Sequence, residues 1–244
     1  MFRSLRLKAK PEINQPSPGA LTIESLDRDA SAPVSLVQLN YLPENTRRRI
    51  YRSLVPVELL ARYGFDPLTG LDRDGRQGWY LTAQPSNGVV QISLRCSDNP
   101  DDNFYHLELA DNPYGGIDLN FLVLNDPDSP RYQTDVDPQG RPTLFGTLQR
   151  NLSEEERAMK AGLAPGQIRS SLGASRAVFQ QLEIFLSAMG QRALFLEPLS
   201  YASAWIFERR GFAYVRGHRL MEDIHREFQP GGRLFQALDG ISAF

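Results

Sequence analysis

Between Gly78 and Asn125 apolar side chains alternate with polar ones in four short runs, "GWYLTAQ", "VVQISLRC", "FYHLELAD" and "GIDLNFLVLN". Period-two alternation rich in β-branched and aromatic residues predicts half-buried strands. The linkers "PSNG", "SDNPDDN" and "DNPYGG" are turn-forming and too short for crossover helices, so the four strands form an antiparallel meander. Upstream, "PVSLVQLNY" (33–41) predicts a first strand. "LPENTRRRIYRSLVPVELLARYG" has helical spacing, which Pro56 breaks into two pieces and Gly64 ends. Arg47, Arg48, Arg49 and Arg52 spread around the turn, as on a solvated helix face rather than an anion site.

Beyond Asp126 the periodicity dissolves. "NDPDSPRYQTDVDPQGRP" is polar and turn-rich, and "LSEEERAMKAG" predicts a short helix, with Ser153 and Glu156 at capping-box spacing and Gly162 at its stop. This insertion, 127–168, is longer than ordinary connections, as lids and binding loops are. Periodicity returns in "GASRAVFQQLEIFLSAMG", where Val178, Leu182, Phe185 and Leu186 line one helical face and Gly190 terminates. The strand "RALFLEPL", the helix "SYASAWIFERRG" and the strand "FAYVRGHRLM" follow, then helical "MEDIHREF", a break at "QPGG" and "RLFQALDG". A β–α–β run after a meander predicts a mixed α/β sheet, antiparallel first and parallel at its end. The expected organisation is a flexible arm over 1–30, with Pro11, Pro16 and Pro18, and one domain over 31–244. That domain carries the insertion and a C-terminal extension, 221–244.

Composition narrows the function. With 41% hydrophobic and 23% charged residues and a net charge of −2, the chain is an ordinary globular protein without the basic excess of a nucleic-acid binder. Cys96 is the only cysteine, which excludes an internal disulfide and points to a reducing compartment; within an apolar strand it reads as buried and inert. His106, His218 and His225 lack the spacing of a zinc site, and His218 on the last strand reads as structural. No apolar run reaches the ~18–20 residues that span a bilayer. "MFRSLRLKAK" lacks the apolar core of a secretory signal, so the expected location is cytoplasmic. There is no G-x-S-x-G, P-loop or G-x-G-x-x-G.

The order of elements over about 33–220, with three local stretches, resembles the GNAT superfamily of acyl-CoA-dependent N-acyltransferases. "GIDLNFLVLNDP" (116–127) looks like the strand along which the pantetheine arm lies. The resemblance implies that backbone groups of Leu122, Val123 and Leu124 meet the cofactor. "SSLGASRAVF" (170–179) falls where the family has a Q/R-x-x-G-x-G/A loop for the pyrophosphate. Gly173 matches the first glycine, Ala174 follows it, and Ser175 replaces the second small residue. Ser170 stands at the Gln/Arg position, with Arg169 one place earlier; Ser171 and Arg176 complete the implied cofactor-binding set. Taken without the resemblance, the same stretch is a plain helix start capped by Ser170 or Ser171. "YASAWIFERRGF" (201–212) is similar to the family's Asn-x-x-Ala-x-x-x-Tyr-Glu-x-x-Gly-Phe run. Ser200 stands at the Asn, Ser203 at the Ala and Phe207 at the Tyr, while Glu208 matches. Trp205, Ile206 and Phe212 are expected in the core.

The implied activity is acyl transfer from acetyl-CoA, or another acyl-CoA, to a small-molecule or peptide amine, without nucleic acid or membrane. An ammonium must lose a proton before it attacks, so a carboxylate near the cleft makes chemical sense. The resemblance places one at Asp118, which alternation groups on one face with Asn120, Leu122 and Leu124. Glu197 at the end of the parallel strand is a second candidate. Phe207 cannot return a proton to the departing thiolate. Tyr201, six residues ahead and about 240° around the helix, reaches the site only if the preceding turn brings it there. Acidic Asp126, Asp128, Asp135 and Asp137, beside and within the insertion, would select a cationic acceptor. Two alternatives stay open: a catalytically degenerate module that binds CoA or a protein partner, and a structural domain whose cleft the insertion fills.

Overall fold

The computed structural model describes residues 5–7, 34–97, 99, 102–144, 147 and 149–238. Within the predicted arm 1–30 only β1 (Leu5–Leu7) is described, and the rest of that arm lies outside the described residues. The chain divides into two compact units. One comprises Arg6–Asp128 with Ser171–Leu196, the other Met1–Leu5, Ser129–Ser170 and Glu197–Phe244.

The first unit is built on a mixed sheet. Strands β2 (Trp79–Thr82), β3 (Val89–Leu94), β4 (Tyr105–Asp111) and β5 (Ile117–Leu124) pair antiparallel in chain order, as the alternation predicts. Strand β6 (Leu194–Leu196) then joins β5 in parallel. Cross-strand partners share a face, so Leu94 with Tyr105, Ile92 with Leu107 and Val90 with Leu109 form one buried face. Tyr105 reaches from it to donate its hydroxyl to the Leu54 carbonyl at 2.8 Å.

Where a first strand was expected, the chain forms a short helix, α1 (Leu36–Asn40). Ser35 and Gln38 make a reciprocal capping box, and the Asp111 carboxylate accepts from Leu36 N and Val37 N at 2.8 and 2.9 Å. An anion satisfying two orphan N–H groups outweighs the β propensity of the valines. Helices α2 (Glu44–Arg52) and α3 (Val57–Arg62) break at Pro56 and stop at Gly64, as predicted. Of the arginines of α2 only Arg49 is exposed to solvent as expected. Arg47 donates to the Asn40 carbonyl, and Arg48 and Arg52 lie over the Trp79 ring at 4.9 and 5.3 Å. Helix α5 (Ser175–Ala188) buries Val178, Phe179, Leu182, Phe185 and Leu186, and Phe185 meets Tyr51 of α2 at 6.1 Å between centroids.

In the second unit, 129–170 is ordered by side-chain-to-backbone bonds rather than by periodicity. Helix α4 (Leu152–Lys160) starts from Asn151, not from Ser153. Asn151 accepts from Glu154 N and also donates to the carbonyls of Gln133 and Val136 at 3.1 and 3.0 Å, so its amide joins loop and helix. Helix α6 (Tyr201–Arg209) and strand β7 (Phe212–Tyr214) follow the prediction, but β7 ends early. His218 opens helix α7 (His218–Glu227) behind Gly217 at φ +87°, so it is not a strand residue. Helix α8 (Arg233–Gln236) completes the described chain. Phe212 is buried as expected, whereas Trp205 and Ile206 are 40% and 49% exposed and lie outside any core.

Candidate functional site: an open strand edge beside a helix start

Strand β5 is eight residues long, but β6 pairs with only its first three, Ile117–Leu119. The same edge is occupied again at the far end. Leu172 N donates to Leu124 O at 2.9 Å, and Asn125 bridges Ser171 in antiparallel fashion. Between these two closures, 120–123 have no backbone partner on that edge among the described residues. Asn125 N donates to Phe104 O on the β4 side, so alternation turns Leu124 and Leu122 toward the open edge. The N–H and C=O of Leu122 are thus presented there.

A bulge lies at the near end of the opening. The β4–β5 register shifts between Glu108 and Leu109, leaving Asn120 as the extra residue of β5. Bulges bend a strand and increase its local twist. The bulge also resets the alternation. Asp118 lies opposite Ala110 while Leu122 lies opposite Leu107, so Asp118 and Leu122 are on opposite faces rather than on the shared face that uninterrupted alternation predicts. Asp118 accepts from Asn112 Nδ2 at 3.0 Å, beside the paired end of β5.

At the far end, Gly173 holds φ +73° and nothing lies within 4 Å of the side-chain position it leaves empty. The turn is therefore unobstructed. Ala174 is the N-cap of α5 and no side chain caps the helix, so neither Ser170 nor Ser171 fills the capping role. The Ser171 hydroxyl instead accepts from Gly173 N at 3.3 Å, and Arg176 is exposed on the first turn. An uncapped helix start past the carboxyl end of a parallel strand favours anions.

The remaining predicted site residues belong to the second unit. Arg169 donates to the Ser129 carbonyl, and Ser170 N donates to the Ser129 hydroxyl at 3.1 Å. Ser200 caps α6 through a box with Ser203. Glu197 is exposed just past β6. The Tyr201 hydroxyl meets His225 Nδ1 at 2.5 Å, and its ring stacks with Trp205 and His225. Phe207 packs edge-on against Phe212 at 5.6 Å. Asp135 pairs with Arg131 at 2.6 Å, while Asp137 accepts from Arg141 and Gln139. These two carboxylates fold their own loops.

Two features escaped the sequence reading. Cys96 lies past the end of β3 and is exposed; its remaining burial, with Asp128, Asp102 and Asp72, raises the thiol pKa and weakens it as a nucleophile. On the sheet face opposite the core, Ser93 Oγ is 2.8 Å from His106 Nδ1, and Glu108 accepts from Gln91 and Asn120 at 2.7 and 3.0 Å. Burial pushes His106 below the usual imidazole range, against the pull of Glu108. The alternation of "YHLELA" already places His106 and Glu108 on one polar face. Among the described residues no three His, Cys, Asp or Glu side chains are placed to hold a metal, and no helix is long and apolar enough to cross a membrane. Compared with family models, curated proteins and solved structures, the chain gives no match.

Proposed function

We propose that the protein is an N-acyltransferase of GNAT type, moving an acyl group, acetyl in the simplest case, from CoA to an amine by direct attack. The observation that carries this reading is the opening in β5 over 120–123, bounded by β6 on one side and by 171–172 on the other. An extended arm with amide groups fits such an edge as an added strand does. The N–H of Leu122 would polarise the thioester carbonyl, and the start of α5 with Arg176 would take the pyrophosphate. Gly173 lets the backbone approach it closely. Asp118 is the carboxylate that the sequence offers in this unit as a proton acceptor, while Glu197 belongs to the other unit.

A second reading, a module that binds CoA without turnover, is favoured by one pair of observations. Phe207 offers no proton, and the Tyr201 hydroxyl is already engaged by His225. A thiolate is a tolerable leaving group in water, so this pair weakens catalysis without removing it. Thermal-shift and thiol-release measurements with acetyl-CoA and a panel of primary amines separate the readings. A shift with release supports transfer and a shift alone supports the binding module. No shift at millimolar acetyl-CoA overturns both.

A further inference from the structure

We propose that His106, oriented by Ser93, is the general base that takes the proton from the incoming amine, an inference that rests on the acyl-transfer reading above. Its place in the sheet is the first reason. His106 lies directly opposite Val123, so it stands one strand, ~4.8 Å, from the opened stretch of β5. Asp118 is four residues before Leu122, three steps of the β4 register or ~10 Å along the strand, and Asn112 already holds it. The second reason is the exposed surface beside the half-buried His106. Phe121, whose ring meets His106 edge-on at 5.7 Å, is 49% exposed, and Asn120 beside it is exposed as well.

The third reason is orientation. With Nδ1–H donated to Ser93 Oγ, Nε2 keeps its lone pair and is basic. Glu108 is not itself the base, because Gln91 and Asn120 take its two oxygens, but its charge favours the imidazolium. The groups that His106 meets from β3 and β5 are uncharged: Ser93, Phe121 and Val123. On that face Arg95 is stacked over Tyr80 and Asp118 is held by Asn112.

In the step, the ammonium gives one proton to Nε2 and the neutral amine forms the C–N bond at the thioester carbonyl. The C–S bond breaks, the thiolate leaves, and the second proton passes through water to it. His106 then releases its proton to solvent.

The test uses the full chain, acetyl-CoA, an alkyl ammonium acceptor and hydroxylamine, which is already neutral at pH 7. H106Q is expected to keep acetyl-CoA affinity while transfer to the alkyl ammonium falls about 100-fold. Transfer to hydroxylamine should change by less than about 5-fold, since no proton need be removed first. H106A should regain rate with added imidazole, which a folding defect would not do. S93A, a positioning variant, should keep acetyl-CoA affinity, lower alkyl-ammonium transfer by less than H106Q does, and move the acid limb of the pH profile to lower pH, because it removes an acceptor that orients the ring and stabilises the imidazolium.

Undiminished alkyl-ammonium transfer by H106Q overturns the proposal. So does an inactive S93A with an acyl group found on Ser93 of the wild type, which would mean double displacement. Wild type that fails to bind acetyl-CoA removes the acyl-transfer reading itself and His106 as its base with it. That failure is told apart because it appears before any substitution.

Discussion

Replacing Asn40 tests how the helices are attached to the sheet. Asn40 is fully buried at the end of α1, and its amide makes three bonds. Nδ2 donates to the carbonyls of Asn87 and Val89 at 2.6 and 3.0 Å, and Oδ1 accepts from the Tyr51 hydroxyl at 2.5 Å. Burial, with the nearby Asp111 charge, raises the Tyr51 pKa and keeps its phenol a donor. In N40A the Tyr51 hydroxyl is left buried without an acceptor, at a cost of about 1–3 kcal/mol, and two carbonyls lose a donor worth on the order of 1 kcal/mol together. The expected destabilisation is about 3 kcal/mol, or roughly 10 °C in Tm for a chain of this size. Y51F should cost about 1–2 kcal/mol. Because both changes remove one shared bond, N40A/Y51F should fall short of the sum by about 1–2 kcal/mol. Urea unfolding followed by tryptophan fluorescence measures this directly. In a W205F background Trp79, buried in the same unit, is the sole reporter. N40A within 0.5 kcal/mol of its parent, or a fully additive cycle, would refute the reasoning (threshold on the order of the usual additivity error).

Three further outcomes follow from separate features. D111A should lose about 2–4 kcal/mol in urea unfolding, because it strips two charge-assisted bonds from the start of α1, and D111N about half as much. G78A should lose about 1–3 kcal/mol in thermal unfolding, since its new Cβ would lie 1.8 Å from Phe65 Cε1, and F65L in the same chain should recover part of the loss. Asp137 is pushed up by burial but held below the ordinary carboxylate range by the stronger effect of bonds from Arg141 and Gln139. A depressed folded pKa contributes stability above the unfolded value of about 3.9 and loses it as pH falls through the folded one. The stability gap between D137N and wild type should therefore shrink between pH 5 and pH 2, read as denaturant midpoints.

The meander, the split at Pro56 and the terminators Gly64 and Gly190 were legible because each is a local signal. Alternation, ring closure at proline and positive φ at glycine need no distant partner. Helix α1 was misjudged although Ser35 and Gln38 carry a capping box, because its stabilising carboxylate lies 75 residues away on Asp111. The order within 129–170 was invisible for a related reason. Asn151, Thr134 and Asp137 fasten the loop to backbone groups that no periodicity points to. The candidate site was half legible. Its strand and the helix beside it follow from alternation and helical spacing, but the bulge at Asn120 is a register property that the sequence does not announce. That one extra residue separates Asp118 from Leu122 and brings His106 into consideration.

The central claim is that the edge of β5 over 120–123 is a seat for acyl-CoA, and amide hydrogen exchange with and without acetyl-CoA tests it most directly. In the free protein Leu122 N–H should exchange much faster than Val123 N–H, which points to β4. Saturating acetyl-CoA should protect Leu122 and Leu124 together with the first amides of α5. Binding that leaves those amides unprotected and protects another surface would contradict the claim.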